Sequence, residues 1–262
     1  MTGSNSVRTA LVLGGSKGLG FGVAEALVKR GVNVALVGRQ EAALNAAEQK
    51  FAGQPGSTVS FACDLSNRDS VSRMLRRIDE RGVEIDILVL NGGGPPPIAA
   101  SDFDEAFWHA QFGAMFMSQV EVATHFLPSM RRRRFGRIIV VSSTSIREPI
   151  PGLAASNALR SALAGWAKTL ATEVAGDGVT VNVVLPGRFA TDRTARLDAL
   201  DAADRGVDPA VIAAESQSEI PTGRYGSAQE FGAVVSFLAS EEASYVTGIA
   251  LPVDGGLSRS LV

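Results

Sequence analysis

The chain has 262 residues, 45% of them hydrophobic and 20% charged, and its formal net charge is −2. This composition can bury a sizeable core, and the slightly acidic balance disfavours a surface for nucleic acid. A single cysteine, Cys63, excludes an intrachain disulfide and a cysteine metal cluster. No apolar run approaches the roughly 18 residues of a membrane span, and residues 1–6 are polar without a signal-peptide core. We therefore expect a cytoplasmic protein with no metal site and no membrane or nucleic-acid partner.

Short apolar runs alternate with longer helical patterns along the whole chain. Such βαβ repeats require right-handed crossovers and favour a parallel sheet covered on both faces. The predicted strands are 9–13, 33–37, 58–61, 87–90, 137–141, 180–184 and 249–252. The predicted helical segments are 19–30, 41–50, 70–81, 103–132, 156–175 and 228–239. The pattern predicts an α/β fold: a single Rossmann-type domain over residues 1–262, doubly wound, with about seven strands.

Three segments outside these elements are candidates to shape a substrate site. Residues 190–222 are rich in Ala and Asp and carry no strand signal, and a long insertion in a compact domain is usually functional. We expect this segment to be a substrate lid. The loops 92–97 and 147–151 follow predicted strands and contain several prolines. They either border a pocket or are stiffened loops without a chemical role.

A glycine-rich turn joins the first predicted strand directly to a helix. Glycines there allow the main chain to approach a diphosphate, whose charge is met by the N-terminus of the helix. The turn residues expected to bind cofactor are Gly14, Ser16, Lys17, Gly18, Leu19 and Gly20. The strand–turn–helix context favours a dinucleotide site over a helix-entry turn without a ligand.

The end of the second predicted strand bears on the choice of cofactor. Dinucleotide-binding folds that select NAD usually place a carboxylate there, whereas an arginine suits the 2′-phosphate of NADP. This chain has Arg39 at that position, and Lys17 adds a second cation. We expect NADP(H) to be favoured over NAD(H), with a surface arginine as the competing interpretation.

The spacing Gly14-x3-Gly18-x-Gly20 resembles the cofactor motif of the short-chain dehydrogenase/reductase superfamily, and of its 3-oxoacyl-carrier-protein-reductase-like branch in particular. The likeness covers nearly the whole chain, and it implies a small-molecule substrate and a homo-oligomer, either a tetramer or a dimer. The further matching positions are Asp64, Leu65, Asn91, Gly92, Gly93, Pro186, Gly187, Phe189 and Thr191.

The resemblance implies a role for each of these groups. Asp64 would contact adenine, beside Leu65. The Asn91–Gly93 segment would stabilise the sheet and line the cofactor. Pro186 and Gly187 would face the nicotinamide, and Phe189 and Thr191 would lie near its carboxamide.

The catalytic residues of the superfamily are an Asn, a Ser, a Tyr and a Lys, and here only the serine matches, as Ser143. The tyrosine position is Ser156, the lysine position is Arg160, and the asparagine position falls on Gln111, where the register is less well fixed. A serine hydroxyl ionises far less readily than a phenol of pKa about 10. Arginine keeps its proton but can still bind ribose hydroxyls. Loss of a placed general acid costs on the order of 10²–10⁴ in rate.

Two hypotheses follow. The first is an NADPH-preferring oxidoreductase that acts on C=O or C=N groups by an altered proton route. That route would use an already protonated iminium, a bound water, or an acid among Glu148, Arg188, Asp192 and Tyr225. The second is a catalytically silent or non-redox protein of the same fold that still binds the cofactor.

Overall fold

Seven parallel strands form one sheet in the computed structural model, which describes residues 7–260. Residues 1–6, the polar start of the chain, and residues 261–262 lie outside the described residues. The strand order across the sheet is β3-β2-β1-β4-β5-β6-β7. The strands are β1 (Thr9–Leu13), β2 (Asn33–Gly38), β3 (Thr58–Ala62), β4 (Ile87–Leu90), β5 (Gly136–Val141), β6 (Val179–Pro186) and β7 (Ala250–Val253).

Helices cover both faces of this sheet. The helices are α1 (Gly18–Lys29), α2 (Glu41–Phe51), α3 (Arg68–Glu80), α4 (Glu105–Phe112), α5 (Ser118–Arg133), α6 (Ala154–Val174), α7 (Asp192–Arg205), α8 (Pro209–Ser218) and α9 (Ala228–Leu238). Buried side chains of α3, α5 and α6 form the core on one face, and those of α1, α2 and α9 form the core on the other. The doubly wound Rossmann-type fold expected from the sequence is confirmed. Within residues 7–260, no helix is long and apolar enough to cross a bilayer.

The apolar run of β1 shows why the strands are buried on two sides. Leu11 and Leu13 pack into one core and Ala10 and Val12 into the other, because successive side chains of a strand point to opposite faces. Cys63, just past β3, is 3% exposed and belongs to the first of these cores.

Two regions differ from the predicted elements. The helical stretch predicted at 103–132 is divided into α4, a π-helical turn at Gly113–Met117, and α5. The segment 190–222 contains helices α7 and α8, which the sequence analysis did not predict. Thr191 caps α7 by accepting from the Thr194 N–H, and Asp208 caps α8 by accepting from the Ala210 N–H, so local capping signals were present.

The topology fixes where a ligand can lie. The chain leaves β1 toward β2 on one side and continues on the other side with β4, so the winding reverses between β1 and β4. Ligands of open parallel sheets bind beyond the carboxyl ends of the strands at this reversal. Gly14, Arg39, Asp64, Asn91 and Ser143 follow the ends of β1 to β5, and α6 brings Arg160 to the end of β5.

Candidate functional site

The glycine turn after β1 leaves no room for larger side chains. Gly14 has φ +65° and Gly18 φ +53°, a conformation that favours glycine. A Cβ on Gly20 would lie 2.2 Å from the Gly14 carbonyl oxygen. Lys17 precedes α1 without capping it through its side chain, so N–H groups of the first turn are left for an anion.

Asn91 connects this turn to the end of β4. Its Nδ2 would lie 2.8 Å from a Cβ on Gly14 and 2.8 Å from a Cβ on Gly20, so the amide packs against both glycines. A Cβ on Gly93 would have no neighbouring atom within 4 Å. At Gly93 the main chain therefore borders open space, as a segment that lines a cofactor requires.

A cavity of about 310 Å³ lies at the ends of β2 and β3, and its lining includes Arg39, Cys63, Asp64, Arg73 and Arg77. Three cations around one cavity form an environment that suits a phosphate. Arg39 was predicted from the sequence, whereas Arg73 and Arg77 were not, because only the packing of α3 brings these two side chains to the cavity. Lys17 is exposed on the glycine turn and is not part of this lining.

Asp64 is held in its ionised form at the rim of this cavity. Its Oδ1 accepts from the Ser66 N–H at 3.0 Å and from the Ser66 hydroxyl at 2.7 Å. These hydrogen bonds lower the pKa of Asp64, and the charge of Arg39 adds to the effect. The carboxylate can therefore accept a hydrogen bond from a base or a ribose. Ser16 lies nearby, with its Oγ 3.1 Å from a Cβ on Gly38.

Three predicted cofactor residues direct their side chains into the core. Leu19 and Leu65 pack against the two cores. Phe189 is 4% exposed, and its ring lies 5.3 Å from that of Phe231. The Phe189 side chain is therefore not available to a cofactor, whereas Leu19 and Leu65 are only half-buried.

The two sides of the cleft approach each other at Gly18 and Thr191. A Cβ on Gly18 would lie 3.7 Å from the Thr191 methyl group. Gly187 directly follows the last residue of β6, Pro186, and donates its N–H to the carbonyl of Val253 in β7 at 3.0 Å. Thr191 thus borders the glycine turn, and the roles of Pro186 and Gly187 at the nicotinamide remain predictions.

The end of β5 brings Ser156 and Arg160 together, and Ser143 follows Ser142, whose main-chain oxygen binds Arg160. Arg160 donates from Nε to the Ser156 Oγ at 3.2 Å, and from Nη1 to the main-chain oxygens of Val141 and Ser142 at 3.2 and 2.8 Å. Ser156 is 4% exposed, and its oxygen serves as an acceptor. Ser143 lies on the next turn, where its Oγ accepts from the Ser145 N–H.

Burial lowers the pKa of Arg160 to about 10, and the charge of Arg193 contributes. The guanidinium is still protonated near neutral pH. It is held against two carbonyl groups and a hydroxyl, which are neutral. Between residues 7 and 260, no carboxylate forms an ion pair with Arg160.

Comparison with known proteins identifies the family. The family model of enoyl-(acyl carrier protein) reductase matches residues 14–258. The chain belongs to the short-chain dehydrogenase/reductase superfamily. It is 32% identical over 250 residues to 3-oxoacyl-[acyl-carrier-protein] reductase MabA of Mycobacterium avium, covering 95% of this chain and 89% of that protein. It is 34% identical over 251 residues to FabG of Salmonella typhimurium, covering 95% and 97%.

Solved structures of reductases share the fold. L-sorbose reductase of Gluconobacter frateurii, solved with NADPH and L-sorbose, is 29% identical over the full length of both chains with a TM-score of 0.92. Actinorhodin polyketide ketoreductase with NADPH is 27% identical, covers 98% of this chain and 99% of its own, and has a TM-score of 0.90. The reductase-like branch expected from the sequence motifs is confirmed, and the chain is an oxidoreductase by family.

The superfamily's asparagine position remains a prediction at Gln111. In the described part of the chain, no hydrogen bond joins the Gln111 side chain, in α4, to the cluster at the end of β5. The glutamine that contacts the loop after β4 is Gln119, in α5. Its Nε2 lies 2.7 Å from a Cβ on Gly92 and donates to the Met115 oxygen at 2.6 Å. A π-helical turn separates the two glutamines, so their positions do not follow one regular helical pattern.

Three of the four candidate replacement acids have hydrogen-bond or ion-pair partners elsewhere. Tyr225 donates its hydroxyl to Asp198 Oδ2 at 2.9 Å, and burial raises its pKa. Arg188 forms an ion pair with the other oxygen of Asp198. Glu148 accepts from the Arg259 N–H. Asp192 is exposed at the start of α7.

Arg193 is a site residue that the sequence analysis missed. A Cβ on Gly94 would lie 2.2 Å from both Nη1 and Nη2 of Arg193, so the guanidinium rests on the main chain of the loop after β4. The two residues are about 100 positions apart in the sequence, and no local pattern joins them.

Proposed function

We propose that the chain is an NADPH-preferring reductase that transfers hydride to a carbonyl carbon of a small molecule in the cleft described above. The observation that carries the proposal is the glycine turn packed against Asn91, together with the cavity lined by Arg39, Arg73 and Arg77 at the ends of β2 and β3. The glycine turn suits a diphosphate at the start of α1. The three arginines suit a further phosphate at the end of β2.

When bound, the cofactor would supply the hydride, and the chain's own residues would hold the acceptor. Ser143, whose Oγ accepts from the Ser145 N–H, would donate a hydrogen bond to the acceptor oxygen. Arg160 would stabilise negative charge on that oxygen as a fixed cation, without giving up its proton. Its contacts with the carbonyls of Val141 and Ser142 hold it in place. A bound water is then the simplest proton source, because Ser156 is buried and Tyr225 is engaged by Asp198.

The charge of the cleft also bears on the type of acceptor. An iminium is cationic, and Arg160 and Arg193 would repel it. A carbonyl gains negative charge as hydride arrives, and the same two cations would stabilise it. We therefore favour C=O over C=N as the reacting group.

We propose the segment 190–222 as the lid of this cleft, within a single domain. Its ends lie side by side, because the Ala190 N–H donates to the Gly226 oxygen and the Gly226 N–H donates to the Arg188 oxygen. Exposed apolar side chains on its helices, Leu200 and Val211, face away from the core and are available to cover a substrate.

We also propose that the protein is a homo-oligomer. The large apolar side chains of Phe112 and Met117 are exposed around the π-helical turn, and that of Phe237 on α9 is also exposed, as is common at subunit interfaces. Light scattering at micromolar concentration measures the mass directly, and a monomer would contradict this proposal.

A second candidate, a cofactor-binding protein without redox activity, is favoured by one observation. The Ser156 hydroxyl is buried and accepts from Arg160, so no side-chain acid stands where the superfamily has its tyrosine.

Two measurements separate the candidates. Fluorescence titration compares NADPH with NADH, and we expect NADPH to bind more tightly. Transfer of deuterium from 4-deuterated NADPH to a panel of ketones and keto acids then tests hydride transfer. Labelled alcohol supports the reductase, whereas tight NADPH binding without label in any product supports the non-redox alternative. Equal affinity for both cofactors would contradict the preference for NADPH.

A further inference from the structure

Two arginines without an acidic partner converge where the loops after β4 and β5 border the cleft. Arg160 is held by the end of β5, and Arg193 rests on Gly94 in the loop after β4. They are close enough that the charge of Arg193 lowers the pKa of Arg160. Two guanidinium groups held near each other repel one another, which costs free energy. An anion bound between them would offset this repulsion.

Two other arginines of this region have an acidic partner, whereas Arg196 has none among the described residues. Arg188 pairs with Asp198 at 3.2 Å and Arg205 with Glu215 at 2.7 Å. Neither Arg160 nor Arg193 forms such a pair with any described carboxylate. No described acid therefore neutralises the two cations that border the cleft.

The fit between Arg193 and Gly94 makes this placement specific. Any side chain at position 94 would collide with both terminal nitrogens of the guanidinium. Arg193 is exposed on one side, yet its partial burial lowers its pKa, and the charge of Arg196 adds to this effect. The group is thus open to a ligand from solvent and in contact with the protein on its other side.

An anion bound here could come from the substrate or from the cofactor diphosphate, since both carry oxygens that suit a guanidinium. The position favours the substrate. The diphosphate belongs at the start of α1, beyond β1, whereas Gly94 follows β4 and Arg160 contacts the end of β5. These ends lie one and two strands away from β1, on the side where the acceptor would bind.

We propose that Arg193, together with Arg160, binds a carboxylate of the substrate, so that the substrate is a small carbonyl compound carrying a carboxylate, such as a keto acid. This inference rests on the proposed reductase function for the identity of the reacting group. The anion site itself can be tested with or without cofactor.

The experiment is calorimetric titration of sodium malonate into the cofactor-free protein and into the NADPH-loaded protein, with dimethyl malonate as the neutral control probe. Arg193→Gln removes the cation, and Arg196→Gln removes the same charge one turn further along α7. Gly94→Ala keeps the charge but displaces the guanidinium. We expect malonate to bind the wild type and Arg196→Gln with similar affinity. Its affinity for Arg193→Gln and Gly94→Ala should be lower by about tenfold or more. Dimethyl malonate should not bind measurably.

The outcomes distinguish the sources of the anion. Equal malonate affinity in Arg193→Gln and Arg196→Gln would overturn the proposal. So would a loss of NADPH affinity in Arg193→Gln with malonate binding unchanged, because Arg193 would then serve the diphosphate. Malonate binding to the cofactor-free protein that depends on Arg193 supports the carboxylate site even where NADPH does not bind, a result that would contradict only the reductase function.

Discussion

Asp198, on α7 of the 190–222 segment, binds residues that flank the segment on both sides, and replacing it with alanine should loosen the segment. The carboxylate is 6% exposed, pairs with Arg188 at 3.2 Å and accepts from the Tyr225 hydroxyl at 2.9 Å. A hydrogen bond that involves a charged group contributes about 1.5–3 kcal/mol. Arg188 is 42% exposed and can regain water, so its share is at the low end or below. We therefore expect Asp198→Ala to cost about 2–4 kcal/mol.

Thermal unfolding at neutral pH measures this cost. In a chain of this length, 1 kcal/mol corresponds to roughly 2–4 °C in Tm, which gives a decrease of about 4–16 °C. Asp201→Ala is the matched control, because Asp201 lies on the same helix and its carboxylate is 52% exposed. Tyr225→Phe should cost less than Asp198→Ala, since the ion pair remains. Limited proteolysis should cut Asp198→Ala faster within 190–222. A Tm for Asp198→Ala within about 1 °C of the control would refute the reasoning.

Three further predictions concern the cofactor, the chemistry and the pH dependence of stability. Arg39→Asp should reverse the preference to NADH in fluorescence titrations, because a carboxylate repels the 2′-phosphate and accepts from a ribose hydroxyl; an unchanged order would contradict the role of Arg39. Ser156→Tyr combined with Arg160→Lys should raise steady-state ketone reduction with NADPH by about 10²-fold or more, and wild-type activity that already matches the double variant would show that another group supplies the proton. Arg224 and the Ser227 cap lower the pKa of Glu230 to about 2 from the usual 4.5, so the stabilisation is present above about pH 4.5 and lost as the pH falls toward 2. Glu230→Gln should lower Tm at pH 7, and its difference in Tm from the wild type should shrink as the pH falls from about 4.5 toward 2. A difference in Tm that does not depend on pH would count against the ionised carboxylate.

The strands and the glycine turn followed from the sequence because their determinants are local. The run from Thr9 to Leu13 is apolar at positions that face both cores, and any doubly covered parallel strand needs that pattern. Gly14 and Gly20 are required by main-chain geometry within one turn. Helices α7 and α8 were missed although their caps were present, because a search for apolar periodicity gives little weight to such exposed helices.

The candidate site was only partly accessible to this reasoning. Ser143, Ser156 and Arg160 were found by their spacing, yet the sequence could not show that Arg160 turns back onto the end of β5 and engages Ser156. The contact of Gln119 with Gly92 depends on how α5 packs against the loop after β4, and no local pattern in the sequence indicates it.

By itself the sequence determined the fold, the glycine turn and the substitutions at the tyrosine and lysine positions, because each depends on residues within a few positions of one another. Only the tertiary structure decided that Arg193 lies on Gly94, that Arg73 joins Arg39, and that Asp198 binds residues that flank the 190–222 segment on both sides. These contacts are set by how the helices pack at the edge of the sheet. Distant side chains meet there without any periodic pattern that connects them.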